Sequence, residues 1–113
     1  IDYLNAHGTA TYSNDEAEGR AMQRIFEGHP LKFSSTKPFT GHTLAAAGAV
    51  EAAFSIMAMQ NGTAYKNLNF NELMPELSIS PVTKTLKNIS INNVLTNSIG
   101  FGGNNSSLIF SKA

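Results

Sequence analysis

Three side chains in this sequence are of types that, brought together, would do carbonyl or acid–base chemistry: His7, Lys37 and His42. Histidine is the side chain whose ordinary pKa lies nearest neutrality, and a lysine ammonium beside it disfavours its protonation. If the three converge, Lys37 keeps both rings uncharged and each has one N–H to donate. Such donors suit a carbonyl oxygen that gains negative charge during reaction, where one well-aimed hydrogen bond is worth about 2.7 to 4 kcal/mol. The third histidine, His29, lies beside Pro30 in a polar connection and is expected in solvent. There is no cysteine, so this chain offers no thiol nucleophile, disulfide or Cys-ligated zinc, and its composition is compatible with a reducing compartment.

These residues need elements to hold them. Ile1 to Ala6 is expected as a short strand that delivers His7 into the loop at Gly8-Thr9. Ser13 followed by Glu16 predicts a capping box and a helix to about Glu27. Its apolar stripe would be Ala17, Ala21 and Ile25 with Met22 and Phe26 beside them, leaving Arg20, Gln23 and Arg24 outside. Leu31 to Ser35 predicts a second strand, and Pro38 biases Lys37 toward an extended turn. A long helix to about Gln60 is expected next, with Thr40 as its N-cap and Lys37 and His42 at the end where unpaired N–H groups gather.

From Leu44 to Met59 only Gly48, Glu51 and Ser55 are not apolar, so that helix is expected to be buried on all sides. Ala45, Ala49 and Ala53 form a smooth line along it, open to close approach by another backbone. Asn61-Gly62 ends it. Residues 63–88 are expected to be mostly loop around one possible short strand. Ser90 to Ile99 and Ser106 to Phe110 predict an antiparallel hairpin across Gly100-Phe101-Gly102-Gly103-Asn104. Strand, helix, strand, helix, loop, strand, strand is an α/β layered order with a mixed sheet.

Composition narrows the function classes. Lys+Arg and Asp+Glu are 8 each, so no basic field is available for nucleic acid, and charged residues are only 14 %, which suggests surface that faces more protein. The apolar helix is mostly Ala with a central Glu51 and suits a protein core better than a membrane span. Thr9 and Thr11 on their own are ordinary loop hydrogen-bonders. Glu51, an acid in an apolar helix, needs a partner, most simply in an ion pair. The glycine turn lacks the strand-then-helix setting of a nucleotide-binding loop.

Asn5-Ala6-His7-Gly8-Thr9, Ser35-Thr36-Lys37-Pro38-Phe39-Thr40-Gly41-His42 with Ala46-Ala47-Gly48, and Asn97-Ser98-Ile99-Gly100-Phe101-Gly102-Gly103 occur in an order that resembles the carboxyl-terminal part of a β-ketoacyl-acyl carrier protein synthase of the Cys-His-His type. The resemblance covers nearly the whole chain. It implies the C-terminal half of a thiolase-like fold, residues 1–113 forming a ketoacyl synthase domain whose N-terminal half, with the nucleophilic cysteine, lies upstream; the Ile1 start without Met agrees with an excised piece. It implies that His7 and His42 are the two histidines of the triad and that Lys37 sets their charge. Thr9 and Thr11 would touch the phosphopantetheine arm, against their plain reading, Phe101 would gate the nucleophile, and Glu51 and Gly102 would support.

The reaction implied is extension of an acyl chain by decarboxylative Claisen condensation with malonyl-carrier protein, with no bound cofactor and the substrate carried on phosphopantetheine. Acyl carrier protein and the upstream half are the implied partners, in a cytoplasmic homodimer or ketosynthase heterodimer, and the isolated chain should be inactive. Two departures stand out: Ala45 replaces a usual glycine, and Thr63-Ala64-Tyr65-Lys66-Asn67 replaces a usual proline-containing segment. A non-catalytic partner subunit of the chain-length-factor type is the alternative. A thiolase relative using coenzyme A thioesters is a third reading, weakened because thiolases use a second cysteine near the tail glycines.

Overall fold

The computed structural model describes residues 1–113. In chain order the elements are β1 (Tyr3–Asn5), α1 (Tyr12–Ile25), β2 (Phe33–Ser34), α2 (Lys37–Thr40), a 3-10 turn (Leu44–Ala46), α3 (Ala47–Asn61), β3 (Asn93–Ile99), a second 3-10 turn (Phe101–Gly103) and β4 (Asn105–Ser111). The sheet runs β2-β1-β3-β4, with β1 parallel to both neighbours and β4 antiparallel on the edge. The expected mixed sheet and C-terminal hairpin are both present. The segment 63–88 is loop apart from an isolated bridge between Ala64 and Leu86.

Strand β1 explains the layering. Its residues are buried throughout, as a parallel strand covered on both faces requires. Side chains alternate across a strand, so Tyr3 joins Ala58 and Met59 of α3 in one core cluster, whereas Leu4 and Ala6 join Met22 of α1 and Phe33 in the other. Val94 and Leu95 repeat the division on β3. Burying each of Leu4, Ile91 and Val94 contributes roughly 1.5 to 3 kcal/mol, enough to fix strand register.

Several local expectations are corrected. Helix α1 starts at Tyr12 with Thr11 as N-cap and no side-chain capping bond, so the Ser13–Glu16 box does not form, and it ends at Ile25. Ala17, Ala21 and Ile25 face outward; the buried face carries Glu18, Gly19 and Met22. Leu77 packs so closely that a Cβ on Gly19 would lie 2.5 Å from its Cδ1, and backbone N–H groups hold Glu18 inward, so tertiary contacts override the alanine stripe.

The long helix is also broken. Lys37 opens the four-residue α2 and is helical rather than extended, with its side chain drawn inward. Gly41 at φ 72° ends α2, and α3 begins only at Ala47. Thr40 is therefore no N-cap: its hydroxyl donates to the Gly41 carbonyl at 2.9 Å. Lys37 and His42 precede α3 instead of forming its first turn, which removes the helix-dipole argument for them. Nor is α3 covered all round in this chain. Ala47, Glu51, Ser55, Ala58 and Met59 are buried, whereas Ala49, Ala53 and Met57 lie on an open side, with Ala45 exposed in the 3-10 turn before the helix.

Helix α3 stops at Gly62, whose φ of 56° is left-handed and whose missing Cβ would lie 2.6 Å from the Ile89 carbonyl oxygen. Backbone cannot yield as a side chain tip can. Gly62→Ala is therefore expected to destabilise the protein by more than about 1 kcal/mol, seen as a lower denaturant midpoint; an unchanged midpoint would contradict this packing.

Candidate active site

Strand β1 ends at Asn5, and two residues later His7 continues on the face that meets α3. Its loop is held from the other side of the sheet. The buried Glu18 carboxylate accepts the backbone N–H groups of His7 and Gly8, both at 2.9 Å, and the Asn97 amide at 3.1 Å. Gly8 is required here: its φ is 44°, and an added Cβ would lie 2.5 Å from the Ser35 Cβ. Ser35 spans two loops, accepting the Lys37 backbone N–H at 3.2 Å and donating to the Gly8 carbonyl at 3.2 Å.

Lys37 is buried, which is rare for lysine without partners. Its ammonium donates to Glu51 Oε1 in a buried ion pair and to His7 Nδ1 at 3.1 Å. An ammonium has no lone pair, so His7 Nδ1 must accept and the ring hydrogen sits on Nε2. His42 reaches the same tautomer by another route. The Leu44 backbone N–H donates to His42 Nδ1 at 3.1 Å, and Leu44 holds a left-handed φ of 52°, a strained state costing of order 1 to 3 kcal/mol. The two rings meet edge to face with centroids 5.4 Å apart and planes at 87°.

The His7 pKa is pushed down to about 4, first by burial and then by the Lys37 ammonium, with Asp15 opposing. The ring is neutral at pH 7. Charge repulsion was the expected cause, but desolvation leads, because burial of this strand end shows only in three dimensions. Burial raises the Glu51 carboxyl against the opposing hydrogen bond and charge of Lys37.

His7, Lys37, His42 and Glu51 thus come together, and Glu51 has the ion-pair partner that its place in α3 demanded. His7, Lys37 and Glu51 are buried and His42 stands exposed at their edge; the other candidates lie apart from this cluster. Thr9 is half-buried and Thr11 exposed, and their hydroxyls hydrogen-bond each other at 3.0 Å; of the two, Thr9 lines a cleft of about 630 Å³ that also borders Gly8, Lys37 and His42. Phe101 is fully exposed in the hairpin turn, and Gly102 beside it takes a φ of 75°. His29 is exposed, as expected. Sequence reasoning missed Glu18 as a site residue. Its signal was an acid at a position that must turn inward beside Gly19, hidden by the alternative stripe of alanines.

Residues 1–71 match the family model described as "Beta-ketoacyl synthase, C-terminal domain". The chain belongs to that family. It is 47% identical over 116 residues to the mitochondrial 3-oxoacyl-[acyl-carrier-protein] synthase of Arabidopsis thaliana, covering 97% of this chain and 25% of the relative. It is 40% identical over 114 residues to 3-oxoacyl-[acyl-carrier-protein] synthase 2 of Coxiella burnetii, covering 99% and 28%. The chain thus spans about a quarter of the length of these curated relatives. Among solved structures, the ishigamide ketosynthase/chain length factor superposes with a TM-score of 0.90 at 30% identity, over 100% of this chain and 28% of that one. The ketosynthase of the AntDE:AntF complex gives a TM-score of 0.89 at 26% identity, with the same coverage. The α/β fold is that of ketosynthases. No helix is long and apolar enough to cross a membrane.

The ion pair makes a separable prediction. Lys37→Met leaves Glu51 buried without its cation and should cost about 3 to 5 kcal/mol, whereas Lys37→Met with Glu51→Leu should recover much of that stability. In both variants His7 loses a repelling cation and its NMR titration midpoint should rise. Equal stability losses, or an unmoved His7 midpoint, would show that Lys37 does not govern this site.

Proposed function

We propose that the chain is the C-terminal part of a 3-oxoacyl-[acyl carrier protein] synthase, an acyltransferase that condenses an acyl thioester with malonyl-acyl carrier protein. The observation that carries this reading is the pairing of His7 and His42, two adjacent imidazoles each with Nδ1 occupied as an acceptor and Nε2–H left to donate. The family membership and the identity to 3-oxoacyl synthases support it.

In the proposed reaction the malonyl carboxylate leaves as carbon dioxide and its bonding pair passes into the thioester, giving an enolate oxygen. His7 and His42 donate Nε2–H to that oxygen. The carbanion then attacks the acyl group held on a cysteine, forming the new carbon–carbon bond and releasing thiolate. Neutral rings suit the task because their role is to donate hydrogen bonds, and proton transfer to a stable enol would quench the carbanion. Lys37 holds His7 in the required tautomer and repels a second proton, and Glu51 balances the buried ammonium.

The cysteine belongs, in this proposal, to the N-terminal half of the same protein, whose segments would lie on the open Ala49 and Ala53 side of α3. The isolated chain is then inactive. Thr9 and Thr11 lie along the route of the phosphopantetheine arm, with Thr9 at the cleft supporting this, and Phe101 and Gly102 form a turn that becomes a gate when the other half faces it. Acyl carrier protein is the donor partner, and the working assembly is a ketosynthase dimer. A chain-length-factor type subunit is the second reading, supported by the likeness to a ketosynthase/chain length factor structure, but such a subunit has no use for the Lys37-set tautomer of His7.

The test is carbon dioxide release from malonyl-acyl carrier protein by the full-length protein. His7→Ala and His42→Ala are each expected to slow it by about 10² to 10³-fold. Decarboxylation at the parent rate in both variants would overturn the assignment, and a parent with no acyl loading and no carbon dioxide release would favour the non-catalytic subunit.

A further inference from the structure

Tyr3 and Asn5 on one face of β1, and His7 just beyond its end, are three polar side chains in succession that each bond a residue of the segment 34–37. The Tyr3 hydroxyl meets Ser34 Oγ at 2.6 Å, the Asn5 amide meets Thr36, and His7 Nδ1 meets the Lys37 ammonium. The middle rung is the richest. Asn5 Nδ2 donates to Thr36 Oγ1 at 3.2 Å and to the Glu51 carbonyl at 3.3 Å, while Asn5 Oδ1 accepts the Thr36 backbone N–H and hydroxyl, each at 3.3 Å.

We propose that Asn5 is a positioning residue: its buried amide ties Thr36, immediately before Lys37, and the main chain of Glu51 to strand β1, and so sets the Lys37 ammonium against the His7 ring. Asn5 is 0 % exposed and Thr36 2 %. A polar side chain at such a depth persists only if its groups are paired, since each unpaired one costs about 1 to 3 kcal/mol. Two donors and an acceptor with two lone pairs are both needed, and of the short side chains only a carboxamide supplies them. Aspartate would lack the donors and leucine both. The same amide is the one side chain that touches both segments carrying the Lys37–Glu51 pair and belongs to the strand that carries His7. Its loss frees three segments from one another at the point where a 3.1 Å contact must hold.

This inference rests on the reading of His7 as an enolate-binding ring, and its test separates the two. Asn5→Ala in the full-length protein removes the amide without adding charge. The expected result is a fall in kcat for malonyl decarboxylation on the order of 10²-fold, as for a displacement of about 1 Å, with KM little changed. The acid limb of the pH profile should also move up toward the ordinary histidine value of about 6.5, because Lys37 no longer stands against the ring. The charged and titratable groups around His7 are Lys37 from α2, His42 after it, Asp15 and Glu18 from α1, and Glu51 from α3; none is altered. Thr36→Val, which keeps shape and removes the hydroxyl, should shift the limb the same way and serves if Asn5→Ala does not fold. A lowered melting temperature with kcat and the acid limb unmoved would reduce Asn5 to a structural role and overturn the proposal. If the parent releases no carbon dioxide the functional reading fails instead, and the His7 NMR titration in Asn5→Ala still decides this one: a raised midpoint supports it and an unmoved one overturns it.

Discussion

A lysine ammonium buried between a carboxylate and an imidazole is the contact on which the arrangement depends. Lys37 pairs with Glu51 Oε1 on one side and His7 Nδ1 on the other, and neither neighbour could keep its present state without it. Glu51 would be an unpaired acid in an apolar helix. His7 would lose the donor that fixes its tautomer. Pairs of this kind are weak contributors to net stability, because desolvating both ions offsets most of their attraction, but losing one member is costly. The pair is therefore better understood as a constraint on geometry than as a source of stability, and its geometric consequence is a ring that presents Nε2–H.

Three elements must agree for that contact to form. Strand β1 delivers His7, the turn into α2 delivers Lys37, and α3 delivers Glu51, from sequence positions up to 44 residues apart. Alternation along β1 places the polar set toward α3 and the apolar set, Leu4 and Ala6, toward α1. Helix α1 contributes from the opposite face through Glu18, which reaches past the strand end to hold the backbone of His7 and Gly8. The apolar clusters above and below the sheet supply the stability, and the polar contacts determine where the catalytic side chains stand.

How much of this was legible from residues alone differs by element. The β3–β4 hairpin was plain, because runs of β-branched and apolar residues on either side of a glycine cluster specify it locally, and the His7 strand was read from mixed apolar and polar residues ending at the Gly8-Thr9 loop. Glu51 was also legible as a problem, since an acid among alanines demands a partner, and the structure supplies Lys37. What local pattern could not give was the side of α1 that turns inward. Ala17, Ala21 and Ile25 make the better apolar stripe, yet Glu18 and Gly19 are buried, because the first is needed by a distant loop and the second by Leu77. The division of the expected long helix was hidden too, since Gly41 closes α2 and the left-handed Leu44 turns its N–H to His42, neither of which helix propensity shows.

The central claim is that Lys37 holds His7 as a neutral ring protonated on Nε2. The 15N chemical shifts of the His7 ring at pH 7, assigned by comparison with a His7→Asn variant of the full-length protein, address it most directly. The account predicts an unprotonated Nδ1 and a protonated Nε2. A ring protonated on both nitrogens, or carrying its hydrogen on Nδ1, would contradict it.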